Sequence, residues 1–386
     1  MTPATAIHPS TPRKHLSTVF TETVRMSPAP HAHRVAARAA ITLLTSLLVL
    51  TAFGRLDLGL AAALGTFPSG YGGRLPVPGR WRTQLALTGV LTAGVALGTL
   101  VAISPERGLL SIPAAAAAAG VGAWLTDRFG WFPPLAMFMV FAVGGCASIP
   151  ADASRLGLSV LVTAATGLLT VLLGRSEELI FGSEKMSAHQ HGHVVQHRLW
   201  VHVTRAVSAV VVAGALSRML AGAHPYWSMM AAVVPIAMPS IHRQVARGVQ
   251  RTLGTVVGLG IALVLLSFTL PPLLIVLIGV VLQGVVELTI GRNYTLAMVA
   301  ITPLALLLGQ LALARPMGPL LTERLWETVI GVTVGCLPPC WCGRGRCGTG
   351  PADPPQIIAA AGRLPGSRRG FGFAGAGGRL RMVARR

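Results

Sequence analysis

The stretch Pro225–Gly258, PYWSMMAAVVPIAMPSIHRQVARGVQRTLGTVVG, decides how the chain is read. An aromatic pair, Tyr226 and Trp227, opens an apolar run that Pro235 and Pro239 interrupt. A basic segment with His242, Arg243, Arg247 and Arg251 follows, and apolar sequence resumes at Leu253. As a helix, the run from Tyr226 to Met238 would rise only ~20 Å against a hydrocarbon core of ~30 Å, too short for an ordinary span. The stretch therefore reads as a membrane hairpin with a shortened first arm.

Composition agrees. Of 386 residues, 52% are hydrophobic and 11% charged, and mean hydropathy is +0.65; a soluble domain carries about 25% charged residues. Several apolar runs approach or exceed ~18 residues with charges only at their ends, which makes the chain an all-α, polytopic membrane protein. The formal charge of +20 comes from 32 Lys and Arg against 12 Asp and Glu. These cations stand between apolar runs and in the tails, not on one face among aromatics. They are topology signals, and nucleic acid is excluded as a partner.

Twelve apolar segments are expected. Six (36–53, 56–67, 85–103, 109–125, 131–147, 156–173) precede a polar break and six (199–220, 226–238, 253–268, 272–288, 294–313, 325–337) follow it. The organisation is thus a disordered cytosolic tail over 1–34, a six-helix membrane repeat over 35–174, a His-containing linker over 175–198, a second six-helix repeat over 199–337, and a Gly/Arg-rich disordered tail over 338–386. An offset of 169 pairs Arg82-Thr83 with Arg251-Thr252 (251 minus 82), Gly89 with Gly258, and Arg155-Leu156 with Arg324-Leu325. Such recurrence points to duplication. Arg74, Arg80 and Arg82 in one half and Arg243, Arg247 and Arg251 in the other fall on one side, so the positive-inside rule puts both termini in the cytoplasm. An even number of spans per half makes the repeats parallel.

In each half the second segment is short and bounded by Pro or Gly, the sequence pointer to a transporter site near the bilayer midplane. A broken helix leaves free backbone donors and a positive dipole end, which favour an anion. A tilted interfacial helix with Tyr226 and Trp227 in an aromatic belt explains the same residues. Arg251 shares a face with Gly254 and Gly258, a small-x-x-x-small pattern that admits a neighbouring backbone. It either binds a carboxylate or anchors its helix at the inner headgroups. Asp57, Glu287 and Glu327 lie in or beside apolar runs, where a carboxylate costs several kcal/mol unless paired or protonated. Glu287 and Glu327 are the candidates for proton coupling; a solvated helix end for Glu287 and an i,i+3 ion pair with Arg324 for Glu327 are the structural alternatives.

No cofactor, metal site or enzyme activity is expected. His193 and His197 have i,i+4 spacing, but with His189 and His191 they sit in a soft polar linker. Cys340, Cys342 and Cys347 lack the paired spacing of a zinc site. Neither Lys14 nor Lys185 lies in a Gly-rich phosphate loop, which excludes an ATPase within the chain.

One ordered set of residues carries a family resemblance: Pro225-Tyr226-Trp227, Pro239, Arg247 and Arg251, Gly254-Thr255 with Gly258, Glu287 before Asn293-Tyr294, Thr302-Pro303, and Arg324 with Thr328 and Gly331. Spread over about 110 residues, it resembles the fusaric acid resistance protein-like family of aromatic acid exporters. The resemblance implies a multi-pass efflux or anion-permeation protein of the bacterial plasma membrane, with small aromatic carboxylic acids as the best-known substrates. Many relatives carry a soluble domain between two six-helix units; a linker of about 23 residues leaves no room for one. The first half keeps Arg82 and Arg155 but lacks counterparts of Tyr226-Trp227 and Gly254-Thr255.

The resulting expectation is a transporter with its site between the repeats. Tyr226 and Trp227 would stack an aromatic ring and Arg251 would hold its carboxylate, with Thr255 and Asn293 as further hydrogen-bonding residues. Pro225, Pro239, Gly254, Gly258, Tyr294, Thr302, Pro303 and Arg324 would shape the motif. The partners are the lipid bilayer and a small organic anion, with a homo-oligomer left open. A passive anion channel is the nearest alternative; a metal-dependent membrane enzyme or a non-transporting membrane protein is the more distant one.

Overall fold

A computed structural model describes residues 20–21, 23–71, 80–181, 196–220, 225–238 and 240–337. Among these residues the chain is helical throughout, without strands. The first half contains α1 (Ala32–Ala52), α2 (Gly59–Thr66, between 3-10 turns at Leu56–Leu58 and Phe67–Gly70), α3 (Arg80–Ile103), α4 (Arg107–Phe129), α5 (Leu135–Ala147) and α6 (Ala153–Phe181). The second contains α7 (Gln196–Leu220), α8 (Tyr226–Ile236), α9 (Ile241–Leu266), α10 (Pro272–Ile290), α11 (Tyr294–Ala312) and α12 (Met317–Cys336).

Eight of these helices, α1, α3, α4, α6, α7, α9, α10 and α11, are long and apolar enough to cross a bilayer. Large apolar side chains such as Leu168, Leu172, Val257 and Val281 stand exposed on them, a surface that lipid satisfies and water does not. The chain is an integral membrane protein. Four of the twelve expected segments fall outside these eight. With 8, 13 and 11 residues, α2, α5 and α8 rise only about 12 to 20 Å. At 20 residues α12 is long enough, but it carries Glu323, Arg324 and Glu327.

Two boundaries also shift. Helix α6 runs on to Phe181 through Arg175, Glu177 and Glu178, which polarity alone assigned to the linker. Glu177 pairs there with Arg38 and, at 3.5 Å, with Arg80, so the charge is held by the bundle. Part of the N-terminal tail is likewise held: the Ser27 amide donates to Arg292 O (2.9 Å) and Asn293 Nδ2 donates to Thr23 O (3.0 Å). His189, His191, His193, Pro239 and the cysteines beyond Leu337 lie outside the described residues.

A helix that stops inside a bundle leaves carbonyls that water does not reach. Beyond α2, Arg38 Nη2 donates to Ser69 O (2.6 Å) and Gln84 Nε2 to Tyr71 O (3.1 Å). Beyond α8, Gln244 Nε2 donates to Met238 O (3.1 Å), while Arg205 Nη2 lies 3.5 Å from Gln244 Oε1. The same two residue types brace the same place in both halves. Arg205 follows Arg38 by 167 positions (205 minus 38), and Gln244 follows Gln84 by 160 (244 minus 84). Close approaches recur at that second offset: Gly94 and Gly98 abut α5, and Gly254 and Gly258 abut α11. Helix α3 packs on α5 and α6 as α9 packs on α11 and α12, and α1 meets α10 as α7 meets α4.

The uniform offset of 169 is therefore wrong for α3 and α9. The connection before α3 is longer by seven residues (167 minus 160), so the position of Arg251 corresponds to Leu91 (251 minus 160). Arg82 instead sits exposed at the start of α3, 5.4 Å from the Trp81 ring centroid.

The tightest recurrent contact is α8 against α12. A Cβ at Gly331 would lie 2.6 Å from Ala231 Cβ and 2.9 Å from the Ser228 carbonyl carbon, whereas one at Gly260 would meet nothing within 4 Å. Overpacking costs about 1–3 kcal/mol. Gly331→Val is therefore expected to lower the unfolding temperature of the detergent-solubilised protein, and Gly260→Val to leave it in place, as measured by thermal aggregation followed by size exclusion.

Candidate functional site

Helix α9 begins at Ile241, well before the apolar sequence resumes, because Gln244, Ala246, Gly248 and Gln250 face protein and not solvent. Arg251 consequently lies ten residues into the helix, about 15 Å along its axis, and is only 1% exposed. Its Nη1 donates to Tyr294 Oη at 2.9 Å and lies 3.8 Å from Met298 Sδ. Its Nε and Nη2 are buried without a partner. The close approach of α9 and α11 makes this possible: a Cβ at Gly258 would lie 2.7 Å from Thr302 Cβ and 2.9 Å from Val299 O. That approach brings Tyr294, at the start of α11, to Arg251. Arg247, one turn earlier, stacks over the same ring at 4.3 Å.

Arg251 forms part of the wall of a cavity of about 570 Å³ at the centre of the bundle. That volume is within the range of about 300–1,000 Å³ usual for small-molecule pockets. The cavity reaches the end of the bundle marked by His31, Met238 and Gly291, and extends inward to Leu60 and Leu308. Its walls are largely apolar and aromatic, with Phe67, Phe138 and Phe141 from the first half facing Trp227 and Tyr294 from the second. Phe67 and Phe138 pack at 4.8 Å, and Phe141 and Trp227 stack at 5.6 Å. At the mouth, Arg38 and Arg80 share Glu177. Deeper in, Glu287 accepts a hydrogen bond from Gln283 Nε2 at 3.1 Å. Arg251 thus combines a place on the wall with unfilled donors.

Of the five residues expected to bind substrate, Trp227 and Arg251 come together on this wall. Tyr226 touches Trp227, with ring centroids 4.5 Å apart, but lines a different cavity. Thr255 is fully buried one turn beyond Arg251, with no partner for its hydroxyl, and does not line the cavity. Asn293 does not line the cavity; its Oδ1 accepts from the amides of Thr295 (2.9 Å) and Leu296 (3.2 Å), which caps α11. Glu287 lines the cavity; Glu327 is fully buried beside α7, with Oε1 3.5 Å from Ser217 Oγ and Oε2 unpartnered. The i,i+3 pair of Glu327 with Arg324 does not form, since the Arg324 guanidinium lies over the Trp227 ring at 3.5 Å.

Pro225 precedes the first turn of α8, Pro303 sits inside α11, and Thr302 Oγ1 donates back to Met298 O at 2.9 Å. Sequence reasoning missed the contribution of the first half, chiefly Arg38, Tyr71, Phe138 and Phe141. The available signal was Arg38, an ionisable residue inside the first apolar run. Among the described residues, no group of three His, Cys, Asp or Glu is placed to hold a metal ion.

No curated protein and no solved structure matches the chain. Residues 210–337, which run from the middle of α7 through α12, match the family model described as fusaric acid resistance protein-like, so the resemblance carried by the motif residues holds over that part of the chain.

Proposed function

We propose that this protein transports small aromatic carboxylates out of the cytoplasm, through a central cavity enclosed by two parallel six-helix repeats. Arg251 carries the reading. A guanidinium buried in a low-dielectric bundle with Nε and Nη2 unfilled leaves a desolvation cost that a paired anion offsets, and the unpartnered edge of a planar fork suits a carboxylate. The rings of Phe138, Phe141 and Trp227 on the same wall supply stacking surfaces for an aromatic body.

The Arg38/Gln84 and Arg205/Gln244 braces support the duplication. Arg34, Arg80, Arg243 and Arg247 gather at the end where the cavity opens, which supports a cytoplasmic mouth loaded from inside the cell. Glu287 shares the cavity with Arg251 and supplies the group through which a proton would be exchanged for the bound anion. A passive channel is the competing mechanism, and it would carry flux down the anion gradient without regard to protons.

Two outcomes are expected. A charge-assisted hydrogen bond contributes about 1.5–3 kcal/mol, so Arg251→Ala should weaken equilibrium binding of radiolabelled benzoate to the purified protein by about 10- to 100-fold; unchanged affinity contradicts the site. Glu287→Gln should retain benzoate binding while efflux from proteoliposomes no longer responds to an imposed pH gradient. Native efflux indifferent to that gradient would favour the channel.

A further inference from the structure

Consecutive residues at the start of α8 face different cavities. Trp227 lines the central one, and Tyr226 lines a second, of about 340 Å³, at the opposite end of the bundle beside Arg107, Ser148 and Arg218. Helix α5 divides in the same way: Phe141 lines the first cavity and Gly144, less than one turn later, lines the second. The wall between the two spaces is therefore about one aromatic ring thick. It is closed by Trp227 stacked on Phe141 at 5.6 Å and by Tyr226 packed on the bare backbone of Gly144, where an added Cβ would lie 3.4 Å from Tyr226 Cγ.

Arg324 is fully buried behind this wall, lines neither cavity, and has Nε, Nη1 and Nη2 all without hydrogen-bond partners. Its guanidinium rests on the Trp227 face at 3.5 Å. Arg251 from the first cavity, Tyr226 from the second, and Glu327 and Tyr294 lie within electrostatic range of it, but none of them fills a donor of the guanidinium. A cation–π contact contributes about 0.5–2 kcal/mol, much less than the cost of an uncompensated buried charge. The ring alone does not account for Arg324. The two arginines also enter the bundle from opposite ends, Arg251 about 15 Å along α9 and Arg324 about 10 Å along α12.

We propose that Trp227 and Tyr226 form a gate between the two cavities, and that Arg324 is a second carboxylate site, which receives the anion from Arg251 when Trp227 swings aside. This rests on the exporter reading and adds its route. Displacing the ring exposes the guanidinium on which it lies, so opening the gate and creating the second site are one movement. The second cavity, with Arg107 and Arg218, then serves as the exit vestibule.

The test uses the full-length protein in proteoliposomes with radiolabelled benzoate as probe, comparing native, Arg324→Gln and Trp227→Ala. Arg324→Gln is expected to keep benzoate binding within about threefold, which also shows that it is folded, while efflux falls by about tenfold or more. Trp227→Ala, compared at equal benzoate occupancy, is expected to raise efflux several-fold over native without dependence on a pH gradient, whereas lost stacking alone would lower occupancy and leave efflux per bound benzoate unchanged. Native-rate efflux through Arg324→Gln, or no acceleration in a benzoate-binding Trp227→Ala protein, overturns the gate. Native protein that neither binds nor releases benzoate overturns the exporter reading itself, a result distinguishable from the other two.

Discussion

A guanidinium with open donors inside a low-dielectric bundle is the constraint on which this structure turns. Arg251 is enclosed within the bundle, anchored through one of its donors by Tyr294, and left with two nitrogens unfilled. Such a residue requires rigid surroundings, since any relaxation that admitted solvent or lipid headgroups would fill its donors. The close packing of α9 on α11 at Gly254 and Gly258 and of α12 on α8 at Gly331 and Gly335 supplies that rigidity. The short helices then have a purpose. Ending α2 and α8 inside the bundle leaves the room that the cavity occupies, and the carbonyls so exposed are met by Arg38, Gln84 and Gln244.

The two halves share this scaffold but differ in charge. Where α9 carries Arg251, α3 carries Leu91 at the equivalent depth, fully buried in apolar packing. At the start of α6, Arg155 binds the Asp57 carboxylate (2.9 Å) and the Asp57 carbonyl (2.9 Å). In α12, Arg324 forms no hydrogen bond to a carboxylate and rests on Trp227 instead. The first half pairs Arg155 with a carboxylate and lends the cavity aromatic surface, while Arg251 and Arg324 in the second form no ion pair among the described residues.

Much of the frame was legible in the sequence because hydrocarbon imposes strong rules on chain length and polarity. The apolar segments all appear as helices, and the shortness of 56–67 and 226–238 marked the two elements that stop inside the bundle. Arg251 and Trp227 were readable as a cation and a ring near such a break. Pairings were not. The match of Arg82 with Arg251 failed because loop length differs between the halves, and identity at a fixed offset cannot register a loop insertion. Asn293 before a helical run carries a capping signal, and the cap forms. The first-half wall was invisible because Phe138, Phe141 and Tyr71 look like ordinary core until tertiary packing turns them to one space.

The most direct test of the account is a structure determined with 4-bromobenzoate bound, the bromine located by its anomalous scattering. The expected result is a carboxylate on Arg251 Nε and Nη2 with the brominated ring against Trp227 and Phe138. Bromine confined to the lipid-facing surface, with Arg251 contacting only Tyr294 and water, would contradict it.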